Sequence, residues 1–159
     1  MASQSLPNSG SPHKSIKQET SPSSVGIEKE CILIVDDDEA IHRFMTTVLV
    51  PAGYAVLLAS SGQEAIELCE RQEISIQLAI VDGVMPKLSG RQSVSQMLTV
   101  RPGLKVLLMS GYPTVTGLID GIDSRAGAPK FGFDFIEKPI LPGVILAKIR
   151  EILDRPQVV

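Results

Sequence analysis

Four places in this sequence set acids, a hydroxyl or an amine at or just beyond the end of a short apolar run. Asp36-Asp37-Asp38-Glu39 follows Cys31–Val35, Asp82 follows Leu78–Val81, Ser110-Gly111 follows Lys105–Met109, and Lys138-Pro139 follows Phe133–Ile136. Carboxylates brought into one pocket repel each other unless a cation lies between them. An oxygen-only donor set with room for water selects a hard ion, and Mg²⁺ suits a site that handles phosphate. The expected direct ligands are Asp37 and Asp82, with Asp36 acting through water and the backbone carbonyl of Val84 supplying a further oxygen. The Lys138 ammonium can pair with a carboxylate or with phosphoryl oxygens as a point charge. Ser110 offers a hydroxyl donor, and Gly111 beside it leaves space for an incoming group. Asp38 and Glu39 read instead as helix N-terminal acids that complement the dipole. His42 reads as a solvent-facing residue early in the helix that follows.

These residues converge only if the apolar runs are neighbouring strands. Cys31–Val35, Ala55–Ala59, Leu78–Val81, Lys105–Met109 and Phe133–Ile136 are mostly apolar on both faces, the pattern of parallel strands covered by helices on each side. Helical stripes lie between them. Ile41, Phe44, Met45, Val48 and Leu49 line one face of a helix that ends before Pro51-Ala52-Gly53. Ser61-Gly62-Gln63-Glu64 and Ser89-Gly90-Arg91-Gln92 are capping boxes opening the second and third helices. Tyr112–Lys130 holds a weak fourth helical segment interrupted by glycines, and Leu141, Ile145, Ile149, Ile152 and Leu153 stripe the fifth. Repeated β/α units with right-handed crossovers give an α/β fold, an open doubly wound parallel sheet of five strands with helices on both faces. Ligands of such sheets bind beyond the carboxyl ends of the strands, where the acids, Ser110 and Lys138 fall. No G-x-G-x-x-G follows the first strand and no phosphate-binding G-x-x-x-x-G-K-[ST] occurs, so dinucleotide and P-loop functions fall away.

The 159 residues carry a formal net charge of −3, which argues against direct nucleic-acid binding through a basic face. No apolar run approaches the roughly 20 residues of a membrane span, and the first residues lack a signal-peptide core, so a cytoplasmic address is expected. Cys31 and Cys69 are expected to be reduced packing thiols. Residues 1–28 contain eight serines, with Pro7, Pro12 and Pro22 and hardly any aliphatic side chains, and are expected to be disordered. Residues 29–155 are expected to form the ordered domain and 156–159 a short C-terminal tail.

Taken together, Ile32–Asp38 (ILIVDDD), Ala79–Pro86 (AIVDGVMP), Leu107–Gly111 (LLMSG) and Phe135–Pro139 (FIEKP) resemble, in order and spacing, the four signatures of response-regulator receiver domains. The resemblance runs over residues 30–154. It implies a flavodoxin-like sheet of strand order 2-1-3-4-5 and a phosphorylatable aspartate, Asp82. The phosphoryl donor would be a histidine kinase or a histidine phosphotransfer protein. Asp36 and Asp37 would hold Mg²⁺, Ser110 and Lys138 would contact the phosphoryl group, and Phe135 would change rotamer on activation. The Lys138–Pro139 bond would be the family's cis peptide. The resemblance is to single-domain chemotaxis-type regulators and to the receivers of hybrid sensor kinases, the latter through Ser110-Gly111-Tyr112. The expected activity is a switch, not an enzyme beyond its own phosphoryl transfer and loss. Its output would pass to an unidentified protein target or by onward phosphoryl transfer, and the face of the fourth and fifth helical segments is available for homodimerisation.

Two alternatives differ in chemistry. A haloacid-dehalogenase-like phosphatase would use Asp36 as nucleophile, but Ala40 stands where its motif wants Thr or Val, no acidic pair follows Lys138, and Asp82 would have no task. A degenerate receiver acting as a scaffold would not keep the acids, Ser110 and Lys138 together.

Overall fold

The computed structural model describes residues 28–111 and 134–157. The expectations for the N-terminal tail, for the fourth helical segment and for Tyr112 and Phe133 fall outside these residues. The strands are β1 (Cys31–Val35), β2 (Ala55–Ala59), β3 (Leu78–Asp82), β4 (Lys105–Ser110) and β5 (Asp134–Glu137). They form one parallel sheet in the order β2-β1-β3-β4-β5, as the resemblance to receiver domains implies. The described helices are α1 (Glu39–Leu49), α2 (Gly62–Glu70), α3 (Gly90–Val100) and α4 (Pro142–Asp154), the last being the fifth helical segment of the sequence pattern.

Strand alternation divides the core into two layers. Leu33, Val35, Ala79, Val81, Val106 and Leu108 pack on one face with Ala65 and Ile66 of α2 and Val94 and Met97 of α3. Ile32, Ile34, Leu78, Ile80, Leu107 and Met109 pack on the other with Met45 and Leu49 of α1 and Ile145 and Ile149 of α4. β1 and β3 are buried along their whole length because they occupy the middle of the sheet, whereas edge strand β2 leaves Leu58 exposed.

Helix ends follow the local chemistry with two exceptions. The Asp38 carboxylate accepts the Ala40 N–H at 2.8 Å as the N-cap of α1, and Ser89 with Gln92 closes a full capping box on α3. At α2 the box is shifted, since Ser61 accepts from the Glu64 N–H while the Glu64 carboxylate takes the N–H of Ser60, one residue earlier. Leu141 leaves the predicted stripe altogether. It is the exposed N-cap of α4, because Pro142 at the start of the helix pushes the preceding residue into extended backbone.

Long basic side chains close helix C-termini at the amino edge of the sheet. Arg101 donates to the carbonyls of Cys69 in the last turn of α2 and of Arg71 and Ile74 beyond it, and the Lys105 ammonium donates to those of Ile152, Leu153 and Arg155 at the end of α4. Such carbonyls have no intrahelical partner, and a cation suits their partial negative charge. Cys31 and Cys69 are buried free thiols, and burial pushes both pKa values up. Among the described residues, no helix is long and apolar enough to cross a membrane.

Candidate phosphoryl-acceptor site

Parallel strands place all their carboxyl ends on one edge, and there the acids meet. One oxygen from each of Asp36, Asp37 and Asp82 lies within 4.8 Å of the others, the one such cluster of acids, histidines or cysteines among the described residues. Asp82 and Ser110 are the last residues of β3 and β4 rather than the first residues beyond them, and β5 likewise reaches Glu137. The ladder continues past Ser110, whose carbonyl accepts the Lys138 N–H at 2.8 Å. That bond draws Lys138 back to the edge, with its ammonium 3.4 Å from Asp82 Oδ1 and 3.6 Å from Asp36 Oδ2. The Lys138–Pro139 peptide is cis.

The carboxylates sit in different surroundings. Asp36 is 1% exposed, Asp82 is 7% exposed, and Asp37 is solvent-facing. Asp36 Oδ1 accepts the Asp38 N–H at 2.9 Å, whereas its Oδ2 has no hydrogen-bond partner among the described residues. Burial pushes the Asp36 carboxyl above its usual range; the Asp38 N–H opposes this, the Asp82 charge adds to it, Lys138 opposes it and the Asp37 charge adds again. Asp82 Oδ1 accepts the Val84 N–H at 3.2 Å, and the Val84 side chain is exposed. Among the described residues one ammonium stands against three carboxylates, and Asp36 Oδ2 is buried with no hydrogen bond and only the Lys138 charge at 3.6 Å, an imbalance that a cation would offset. The donor set is all oxygen, so these residues fit Mg²⁺.

Ser110 is buried, and a Cβ added at Gly111 would meet nothing within 4 Å among the described residues. Phe135 is half-buried against the layer that holds α2 and α3. His42 departs from its prediction. It is 8% exposed on the buried face of α1, and its Nε2 has no partner among the described residues. Gly90 reads in the sequence as nothing more than a helix-start residue. A Cβ there would lie 2.4 Å from the Asp82 carbonyl oxygen, so α3 abuts the backbone of the candidate acceptor. The available signal was a glycine in the first helical position, a poor helix former where close approach is the physical reason to keep one.

A doubly wound parallel sheet with an acidic cluster and a lysine at its carboxyl edge defines a CheY-like α/β domain. The family model for the response regulator receiver domain matches residues 32–150, and the chain belongs to that family, the signalling domains of two-component systems. A probable transcriptional regulator, ycf27 of Porphyridium aerugineum, is 33% identical over 129 residues, which are 81% of this chain and 50% of that protein. The chain thus spans about half the length of the curated relatives it matches. Among solved structures, the CheY-like receiver domain protein of Methanospirillum hungatei JF-1 is 29% identical with a TM-score of 0.65, covering 79% of this chain and 94% of that one. The receiver domain of the hybrid histidine kinase CckA is 27% identical with a TM-score of 0.63, covering 78% and 99%. Transcriptional and hybrid-kinase settings both occur among these relatives, and none of the three supports the phosphatase alternative.

Proposed function

We propose that this chain is a phosphoacceptor switch in which Asp82 takes a phosphoryl group from a phosphohistidine of a sensor histidine kinase or histidine phosphotransfer protein. The observation that carries it is the gathering of three carboxylates at one sheet edge with the Lys138 ammonium 3.4 Å from Asp82. Asp36, Asp37 and Asp82 hold Mg²⁺, with the Val84 carbonyl as a further oxygen. In the transfer the donor phosphorus–nitrogen bond breaks, the imidazole nitrogen keeps the electron pair, and a bond forms from phosphorus to an Asp82 carboxylate oxygen. Lys138 offsets charge that spreads over the equatorial oxygens in the transition state. Bound Mg²⁺ supplies further positive charge there.

Ser110 then donates its hydroxyl to a phosphoryl oxygen, Gly111 leaves room for the group, and Phe135 turns inward, so new charge biases a two-state element. Residues 29–155 make up the switch, flanked by residues 1–28 and 156–159. It works in the cytoplasm, where Cys31 and Cys69 stay reduced, and binds no nucleic acid directly. Its output goes to a protein target or by onward transfer, and a second copy could pair with it through a face that includes α4. The ycf27 relative, a probable transcriptional regulator, has a chain about twice the matched length.

Intact mass after incubation with Mg²⁺ and acetyl phosphate tests the proposal. The wild type is expected to gain one alkali-labile phosphoryl group and Asp82→Asn none. Steady turnover of a phosphomonoester lost in Asp36→Asn would favour the phosphatase instead, and no gain of mass by the wild type would favour a scaffold.

A further inference from the structure

Gly90, the first residue of α3, is buried against the end of β3. A Cβ built on it would lie 2.4 Å from the Asp82 carbonyl oxygen, 3.0 Å from Gly83 Cα and 3.3 Å from the Asp82 carbonyl carbon. All three are backbone atoms, which cannot swing aside as a side-chain tip can. The helix start is itself held in place. The Ser89–Gln92 capping box closes it, and Ser93, fully buried, donates its hydroxyl to the Ser89 carbonyl at 3.0 Å. Behind Ser93 stands α2, where a Cβ on Gly62 would fall 1.9 Å from Ser93 Oγ and 2.9 Å from its Cβ. On the opposite side, the Asp82–Gly83 peptide is tied to β4 by the Gly83 N–H, which donates to the Met109 carbonyl at 2.8 Å. The peptide that carries the candidate acceptor is therefore clamped between β4 and the start of α3, with no space for a side chain in the gap.

We propose that Gly90 is a positioning residue for phosphoryl transfer. By bringing α3 into backbone contact with Asp82, it sets the carboxylate at its distance from Lys138 and Asp36. This rests on Asp82 being the phosphoacceptor. Any side chain at position 90 pushes the Asp82–Gly83 peptide away from α3, and a displacement of about 1 Å is enough to cost phosphoryl transfer heavily.

The test compares Gly90→Ala with Ile149→Val, which opens a small cavity in the opposite layer and leaves the end of β3 alone. Acetyl phosphate with Mg²⁺ is the phosphodonor, followed by intact mass, and amide hydrogen exchange at Gly83 is read alongside. Gly90→Ala is expected to be phosphorylated about ten-fold more slowly than the control or worse. Exchange at Gly83 is expected to quicken relative to the amides of β1, as general destabilisation alone would not make it do. Phosphorylation at the control's rate with unchanged relative exchange at Gly83 would overturn the proposal. Should Gly90→Ala fail to fold, Ser89→Ala loosens the same helix start without adding an atom. A few-fold slower transfer with faster Gly83 exchange then supports the clamp, and wild-type values for both overturn it. A wild type that gains no phosphoryl group defeats the function proposed for Asp82; a wild type that gains one while Gly90→Ala matches the control defeats only the role of Gly90.

Discussion

Asp36 shows how one residue can serve a site at the expense of the fold. Its carboxylate is 1% exposed, one oxygen lacks a hydrogen bond among the described residues, and burial raises its pKa. For an acid with a raised folded-state pKa, the fold prefers the protonated form. The related stability is present below the unfolded pKa and is lost as pH rises through the folded one. At neutral pH and without a cation, Asp36 therefore opposes folding. Asp36→Asn is expected to raise the thermal midpoint in chelator at pH 7, with the gain shrinking as both proteins are acidified toward the ordinary carboxylate range. A midpoint that falls in the variant at pH 7 would show that the Lys138 and Asp38 contacts outweigh desolvation. The types and order of Asp36, Asp37, Asp82, Ser110 and Lys138 were legible in the sequence. Their unequal burial was not, because it depends on which neighbours cover each strand end. His42 was misjudged for the same reason, its spacing fitting either edge of the apolar stripe.

At the scale of elements, most boundaries followed from caps and apolar runs, while the strand ends moved outward. Asp82, Ser110 and Glu137 extend strands predicted to stop one residue earlier, since a polar residue still keeps its place in a ladder when the neighbouring strand offers a partner. The struts at the other edge were not foreseen. Arg101 closes the turn after α2 with bonds to three carbonyls that are far from it in sequence, and no local pattern announces such a contact. Arg101→Met keeps the apolar stem and removes the donors. It is expected to cost about 2 kcal/mol, read as a lower urea midpoint, with phosphorylation by acetyl phosphate unchanged. An unchanged midpoint would mean that water replaces the guanidinium at no cost.

Across the whole molecule, the charge of −3 proves less informative than its distribution. Asp36, Asp37 and Asp82 crowd one edge, so occupancy of that edge couples to the stability of the entire domain. A cation that binds only the folded chain raises its stability by mass action, by about 2.7 kcal/mol at a hundred times its dissociation constant. Millimolar Mg²⁺ is expected to raise the wild-type thermal midpoint, chelator to reverse the rise, and Asp37→Asn to shrink it. A midpoint indifferent to Mg²⁺ would count against cation binding and leave the acidic cluster as a strained, unfilled edge.

Sequence alone determined the α/β class, the parallel strands and the identity of the residues at their carboxyl ends. Apolar runs, caps and the order of polar residues are local properties, and strands that run parallel must present their ends together. Tertiary structure decided the rest. It buried Asp36 and left Asp37 in solvent, returned Lys138 to the edge through its bond to Ser110, and set Gly90 against the backbone of Asp82. Each of these joins segments separated along the chain, and close packing leaves a single distance at which they meet.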